Sequence, residues 1–169
     1  MTQIMFKGNP IHTSASLPQP GTNAPDFRVV RADLSPLTLS EFKGKKVILN
    51  IFPSLDTPVC AASVRRFNVE AAKLNNVVVL CISRDLPFAQ KRFCAAEGIE
   101  NVIVGSEYRD SSFSKAYGVQ IVDGALEGLF SRAVVVVDEQ GKVLYAEQVP
   151  EISAEPNYEK ALAAAKSAS

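Results

Sequence analysis

The sequence predicts an α/β protein built on a mixed central β-sheet with helices packed on both sides. Three observations carry this reading. Strand-like and helical segments alternate from Lys46 to Tyr117. Val77 to Ser83 (VVVLCIS) is a near-continuous β-branched run, as a strand buried on both faces requires. Two last strand-like runs then flank Glu139-Gln140-Gly141-Lys142, a hairpin signal, before a terminal helical pattern. Strands alternating with helices and closing in a hairpin give a mixed sheet, with right-handed crossovers between its parallel strands.

In chain order, Gln3 to Ser14 reads as two short strands around a Gly8-Asn9-Pro10 turn. Leu17 to Pro25, rich in Pro, Gly and polar residues, reads as a surface loop. Asp26 to Val30 reads as a short strand, and Thr38 to Phe42 as one helical turn before Gly44. Lys46 to Phe52 is strand-like. From Val59 to Leu74 the apolar residues Val64, Phe67, Ala71 and Leu74 recur at helical spacing. After the Val77–Ser83 strand, Leu86 to Glu97 reads as a short helix ended by Gly98, with Asp85 as its cap and Pro87 in its first turn. Asn101 to Val104 reads as a strand, Ser111 to Tyr117 as a helix closed by Gly118, and Arg132 to Asp138 and Val143 to Val149 as the hairpin strands. Tyr158 to Lys166 reads as the last helix. By strand count alone a thioredoxin-like and a flavodoxin-like sheet both fit.

The chain has 169 residues, 47% of them hydrophobic, which suits a single domain with a sizeable core. Eighteen basic residues balance 18 acidic ones, which argues against a dedicated nucleic-acid binder. No apolar run approaches the roughly 18 residues that span a bilayer. No secretory signal is visible, so a cytoplasmic location is expected. The three cysteines, Cys60, Cys81 and Cys94, do not describe a disulfide framework. They lie far apart in sequence and the one histidine, His12, sits in the N-terminal hairpin, so a zinc site is not expected. A cysteine hydrolase, which needs a histidine base, is disfavoured for the same reason. The glycines form no phosphate-loop pattern.

The most informative stretch is Pro53-Ser54-Leu55-Asp56-Thr57-Pro58-Val59-Cys60, between a buried strand and a helix. It falls at the carboxyl end of a strand, where α/β sheets place their sites. Pro58 suits the first helical position and pushes Thr57 toward the extended conformation that an N-cap needs. Cys60 then falls at N3, where unpaired N–H groups and the helix dipole favour an anion, and the thiolate is the reactive form of cysteine. A cysteine at a helix start also serves as a small buried apolar residue, so the residues alone leave both readings open. Cys81, inside a doubly buried strand, reads as an inert core residue. Cys94, late in its helix, is open between packing and function.

The string PxxxTxxC resembles the peroxidatic motif of the peroxiredoxins. NIFPSLDTPVCAASVRRFN, VVVLCIS, DLPFAQKRFCAAEG, FSKAYGV, RAVVVVDE and EPNYEKAL follow in order and resemble the thiol peroxidase branch of that superfamily over essentially the whole chain. The resemblance implies a thioredoxin-like fold: one domain over residues 1–169, with residues 1–16 as an N-terminal hairpin extension. It implies that Cys60 is the peroxidatic nucleophile, that Thr57 hydrogen-bonds thiolate and peroxide, that Pro53 shields the sulfur, and that Arg132 is the active-site arginine. It assigns Cys94 as the resolving thiol, which closes an intramolecular disulfide with Cys60. Hydrogen peroxide and alkyl or lipid hydroperoxides are the implied substrates and thioredoxin the reductant, with a homodimeric assembly and no metal or organic cofactor. Arg65 and Arg66, further along the helix, read as ion-paired or solvated.

A disulfide needs its Cα atoms within about 7 Å, whereas packed helix axes lie about 8–10 Å apart. The turns carrying Cys60 and Cys94 are therefore expected to rearrange before the bond closes. The rival reading is a non-catalytic thioredoxin-fold binding or chaperone module with incidental cysteines. The joint presence of Thr57, Cys60, Cys94 and Arg132 speaks against it, and the lack of CxxC speaks against a general dithiol oxidoreductase.

Overall fold

A computed structural model describes residues 1–167. Two short strands, β1 (Thr2–Phe6) and β2 (Asn9–Thr13), form an antiparallel hairpin outside the main sheet. Its turn is Lys7-Gly8, both at positive φ, so Asn9 and Pro10 belong to the second strand rather than to the turn. Both turn residues being left-handed is the requirement of the tightest hairpins, and glycine meets it freely.

The main sheet has seven strands. They are β3 (Arg28–Arg31), β4 (Pro36–Thr38), β5 (Lys46–Ile51), β6 (Val77–Ser83), β7 (Ile103–Ser106), β8 (Ala133–Val137) and β9 (Val143–Gln148), in the order β4-β3-β7-β6-β5-β8-β9. β5, β6 and β7 are parallel, and β3, β4, β8 and β9 add antiparallel edges. The sheet is mixed, as expected. β4 is the one main-sheet strand that the sequence does not signal: it has three residues and opens on a proline, which only an edge position tolerates. A 3-10 turn, Leu39–Phe42, follows it.

Among the described residues four helices cover the sheet: α1 (Pro58–Ala71), α2 (Pro87–Glu97), α3 (Ser112–Tyr117) and α4 (Tyr158–Ser167). Alternate residues of β5 enter opposite cores, as a strand's two-residue period demands. Val47, Leu49 and Ile51 join Phe113 and Tyr117 of α3 and the buried Phe130. Ile48 joins Val64, Phe67 and Ala71 of α1 and Ala161, Leu162 and Ala165 of α4. Val64 and Phe67 are fully buried. Each such side chain contributes about 1.5–3 kcal/mol relative to exposure.

α2 is held differently. Only Pro87 and Gln90 of its eleven residues are fully buried, and Phe93 and Cys94 pack partly against the core. It lies over β7, while α1 lies over β6, the neighbouring strand. Gly98, at φ 66°, caps α2 in the left-handed conformation, and its N–H donates to the Cys94 carbonyl.

Candidate active site

β5 ends at Ile51, and the chain turns through residues 52–57 into α1 at the carboxyl edge of the parallel strands. Thr57 is the N-cap, extended at φ −111° and ψ 145°, and Pro58 occupies the first helical position. The Thr57 carbonyl accepts the first helical bond, from Ala61 N–H at 3.0 Å. Cys60 therefore stands at N3, as predicted. Its residue is 0% exposed, within the apolar cluster that holds Ile48, Phe52, Leu55 and Val64.

One detail of the cap differs from expectation. The Thr57 hydroxyl makes no capping bond and instead donates to the Ser54 carbonyl at 2.9 Å. Thr57 N–H reaches the same carbonyl at 3.2 Å. The loop's tight turn claims the hydroxyl proton, which leaves the oxygen free to accept a hydrogen bond.

A cleft of about 280 Å³ opens beside this turn, lined by Pro53, Thr57 and Arg132 together with Phe6, Pro58, Val59, Leu126, Leu129 and Ile152. Three of the residues singled out in the sequence thus line one cleft, although Arg132 is far from the other two in sequence. Arg132 precedes β8, the antiparallel neighbour of β5, which carries it to the same edge of the sheet. It is 3% exposed. Its Nε donates to the Ile152 carbonyl at 2.7 Å, and its Nη1 is buried without a hydrogen-bond partner. An unpaired guanidinium N–H in a buried site is costly, so such a donor calls for a ligand atom.

Cys94 lies elsewhere. It lines a separate groove of about 330 Å³ with Arg31, Ala32, Lys91, Ile99 and Val104, and is half-buried. Burial pushes its thiol above the ordinary value. Cys81 is fully buried in β6, with Asn50 Nδ2 at 3.7 Å from its sulfur, and burial raises its thiol to about 12. That protonated state fits the inert role read from the sequence. All three thiols are free.

The flanking arginines are paired. Arg65 bonds Glu97 at the end of α2, while Arg66 lies 3.5 Å from Glu70 and 4.9 Å from the Tyr158 ring centre. His12 Nδ1 meets Asp123 Oδ2 at 2.7 Å on the hairpin. Among the described residues no group of three His, Cys, Asp or Glu could hold a metal ion, and no helix is long and apolar enough to cross a membrane.

Two groups at this edge escape sequence reasoning. Leu126 and Leu129 come from an irregular loop with no periodicity to read. Asp85, predicted as the cap of α2, is not the cap. Leu86 holds that position without a side-chain bond, and the Asp85 carboxylate instead binds Ser54 and Leu55.

A thiol at the first turn of a helix thus stands beside a cleft lined by an arginine with a buried, unpaired donor. The family model described as Redoxin matches residues 19–162. The chain is 56% identical over 164 residues to the thiol peroxidases of Mycobacterium bovis and Mycobacterium tuberculosis, covering 97% of this chain and 98% of theirs. Its structure is similar to a peroxiredoxin-like protein from Aquifex aeolicus, with TM-score 0.93 and 40% identity, covering 98% of this chain and 96% of that one. A thiol peroxidase from Chromobacterium violaceum shares the fold, with TM-score 0.84 at 21% identity over 94% of this chain and 91% of that one. The chain belongs to the Redoxin family, and its chemistry is thiol-dependent peroxide reduction on a thioredoxin-like fold.

Proposed function

We propose that Cys60 is the peroxidatic nucleophile and Cys94 the resolving thiol of a hydroperoxide reductase. The observation that supports this most is the meeting of Pro53, Thr57 and Arg132 at one cleft beside the helix turn that holds Cys60. The Cys60 thiolate attacks the terminal oxygen of a hydroperoxide, the O–O bond breaks, and the departing alkoxide takes a proton from solvent. The products are Cys60 sulfenic acid and an alcohol, or water from hydrogen peroxide. Charge moves onto both oxygens as the bond breaks, and Arg132 Nη1 is a fixed donor for it. The Thr57 oxygen accepts a hydrogen bond from the hydroperoxide O–H, and Pro53, itself buried, keeps water from the sulfur.

Cys94 then displaces hydroxide from the Cys60 sulfenic acid, which leaves as water with the thiol proton and yields the disulfide. Thioredoxin returns it to two thiols and becomes oxidised itself. Such a cycle needs a reducing compartment, which supports a cytoplasmic location. No organic cofactor enters the scheme. Leu86, Phe88 and Tyr108, exposed by 52%, 65% and 40%, follow β6 and β7 in the chain and are apolar surface that a homodimer contact would cover. The cleft's Phe6, Leu126, Leu129 and Ile152 favour organic over inorganic peroxide.

One equivalent of an organic hydroperoxide, followed by alkylation and mass spectrometry, tests the proposal. Rapid loss of two thiols through a Cys60–Cys94 bond is expected, and in Cys94→Ser a single sulfenic acid at Cys60. An unmodified Cys60 would overturn its assignment as the nucleophile, and continued turnover of Cys94→Ser with thioredoxin would remove Cys94 from the scheme.

A further inference from the structure

α2 is tied to the Cys60 segment at both ends. At its carboxyl end Arg65 of α1 pairs with Glu97. Just beyond, Asn68 Oδ1 accepts the N–H groups of Glu100 and Asn101 at 3.1 and 2.7 Å. At its amino end the tie is Asp85. Oδ1 accepts the Ser54 hydroxyl at 2.7 Å, and Oδ2 accepts Leu55 N–H at 2.8 Å and the Ser83 hydroxyl at 2.6 Å. Ser54 and Leu55 belong to the loop that delivers Cys60, whereas Asp85 stands just before Pro87, the first residue of the Cys94 helix. Gln90 of α2 continues the run, donating from Nε2 to Ser83 Oγ at 3.3 Å and to the Gly105 carbonyl at 2.9 Å. Bonds to an ionised acceptor are roughly twice as strong as neutral ones. Asp85 therefore joins the two cysteine-bearing segments through the strongest class of hydrogen bond at that junction.

We propose that Asp85 is a positioning residue that times the second step. Its carboxylate clasps the Cys60 loop to the start of the Cys94 helix, and the sulfenic acid waits until the clasp opens. This rests on the reading of Cys60 and Cys94 as the reacting pair. Cys60 is buried beside one cleft and Cys94 lines another groove, so one segment has to move for the sulfurs to meet. The sulfenic acid has two fates. With Cys94 it forms the disulfide and releases water, which requires the movement. With a second hydroperoxide it is oxidised to sulfinic acid while the peroxide is reduced to alcohol, which requires only the closed cleft. The clasp thus sets how much enzyme is lost to over-oxidation at a given peroxide concentration.

The test uses the full chain with tert-butyl hydroperoxide, rapid-quench alkylation and mass spectrometry. Asp85→Asn keeps the side-chain shape but replaces one acceptor oxygen by a donor. Disulfide closure should accelerate about tenfold, equivalent to about 1.4 kcal/mol. The peroxide concentration that converts half of Cys60 to sulfinic acid should rise by the same factor. Ser54→Ala, which cuts the clasp from its other side, should act in the same direction and less strongly, and the double variant should go no further than Asp85→Asn. A general loosening of the structure would instead slow first oxidation and closure together. Closure that is unchanged or slower in both variants, while the parent chain forms its disulfide normally, overturns the clasp. A parent chain that forms no Cys60–Cys94 bond overturns the reaction scheme and the clasp with it.

Discussion

Arg132, which lines the cleft, donates from Nε to the Ile152 carbonyl at 2.7 Å, a bond that fixes the guanidinium plane, and its Nη1 is buried and unpaired. Lysine cannot reproduce both contacts, because its single ammonium lacks the planar fork. Arg132→Lys and Arg132→Gln should both slow the first oxidation of Cys60, the glutamine variant by about 10²-fold, as loss of a preorganised donor to developing charge does. Single-turnover loss of the Cys60 thiol is the measurement. A change below threefold in the glutamine variant would remove Arg132 from the reaction.

The apolar wall makes a separate demand. Leu126 and Leu129 line the same cleft as Thr57 and Arg132 and offer no polar group to a small peroxide. Leu129→Asn should lower kcat/KM for cumene hydroperoxide about tenfold and for hydrogen peroxide much less, since contacts in an apolar pocket discriminate by about 10–200-fold. Equal losses for both peroxides would mean that the wall does not read the substrate's organic group.

Alkaline stability should report the buried Cys81. Its thiol stays protonated up to about 12, whereas an ordinary thiol loses its proton near 9.0. Between these values the unfolded chain binds fewer protons than the folded one. Stability therefore falls as pH rises through that window, by at most about 1.4 kcal/mol per pH unit from this group. Tyr117 and Tyr158, also pushed up by burial, add to the fall. Urea midpoints from pH 8 to 10.5 should thus decline more steeply in the parent than in Cys81→Ala. Cavity formation lowers the variant's curve without changing its slope. Identical slopes would show that the thiol is not shielded.

Gly118 closes α3 at φ 67°, and a Cβ there would stand 2.7 Å from the Ala15 backbone carbon. That backbone is itself bonded, with Ala15 N–H reaching the Gly118 carbonyl at 3.4 Å. Gly118→Ala should cost about 2–4 kcal/mol, combining left-handed strain with overpacking. Denaturant midpoints check it, and a loss under 1 kcal/mol would show that the loop before β3 yields.

Much of this molecule is legible in its sequence because its central elements obey local rules. β6 and α1 follow from an unbroken β-branched run and a regular apolar stripe. The Thr57-Pro58 pair marks the helix start nearly to the residue, and the N3 position of Cys60 follows from that start by counting. β4 escapes because three residues beginning with proline carry no alternation, and its strand character comes only from pairing with β3. The leucines of the cleft escape because a loop wall has no period. Asp85 shows a third kind of failure. Its sequence position is that of a cap, but an acceptor follows the donors that come within reach, and those arrive from a loop some thirty residues earlier.

With only two residues of α2 fully sunk into the core, that helix can come away while the seven-stranded sheet stays intact. Its amide protons should then exchange with solvent water by a local opening far more frequent than global unfolding, while those of β5, β6 and β8 await complete denaturation. Proteases should nick the chain first near Phe93. A shape change centred on this segment would leave the seven-stranded sheet folded.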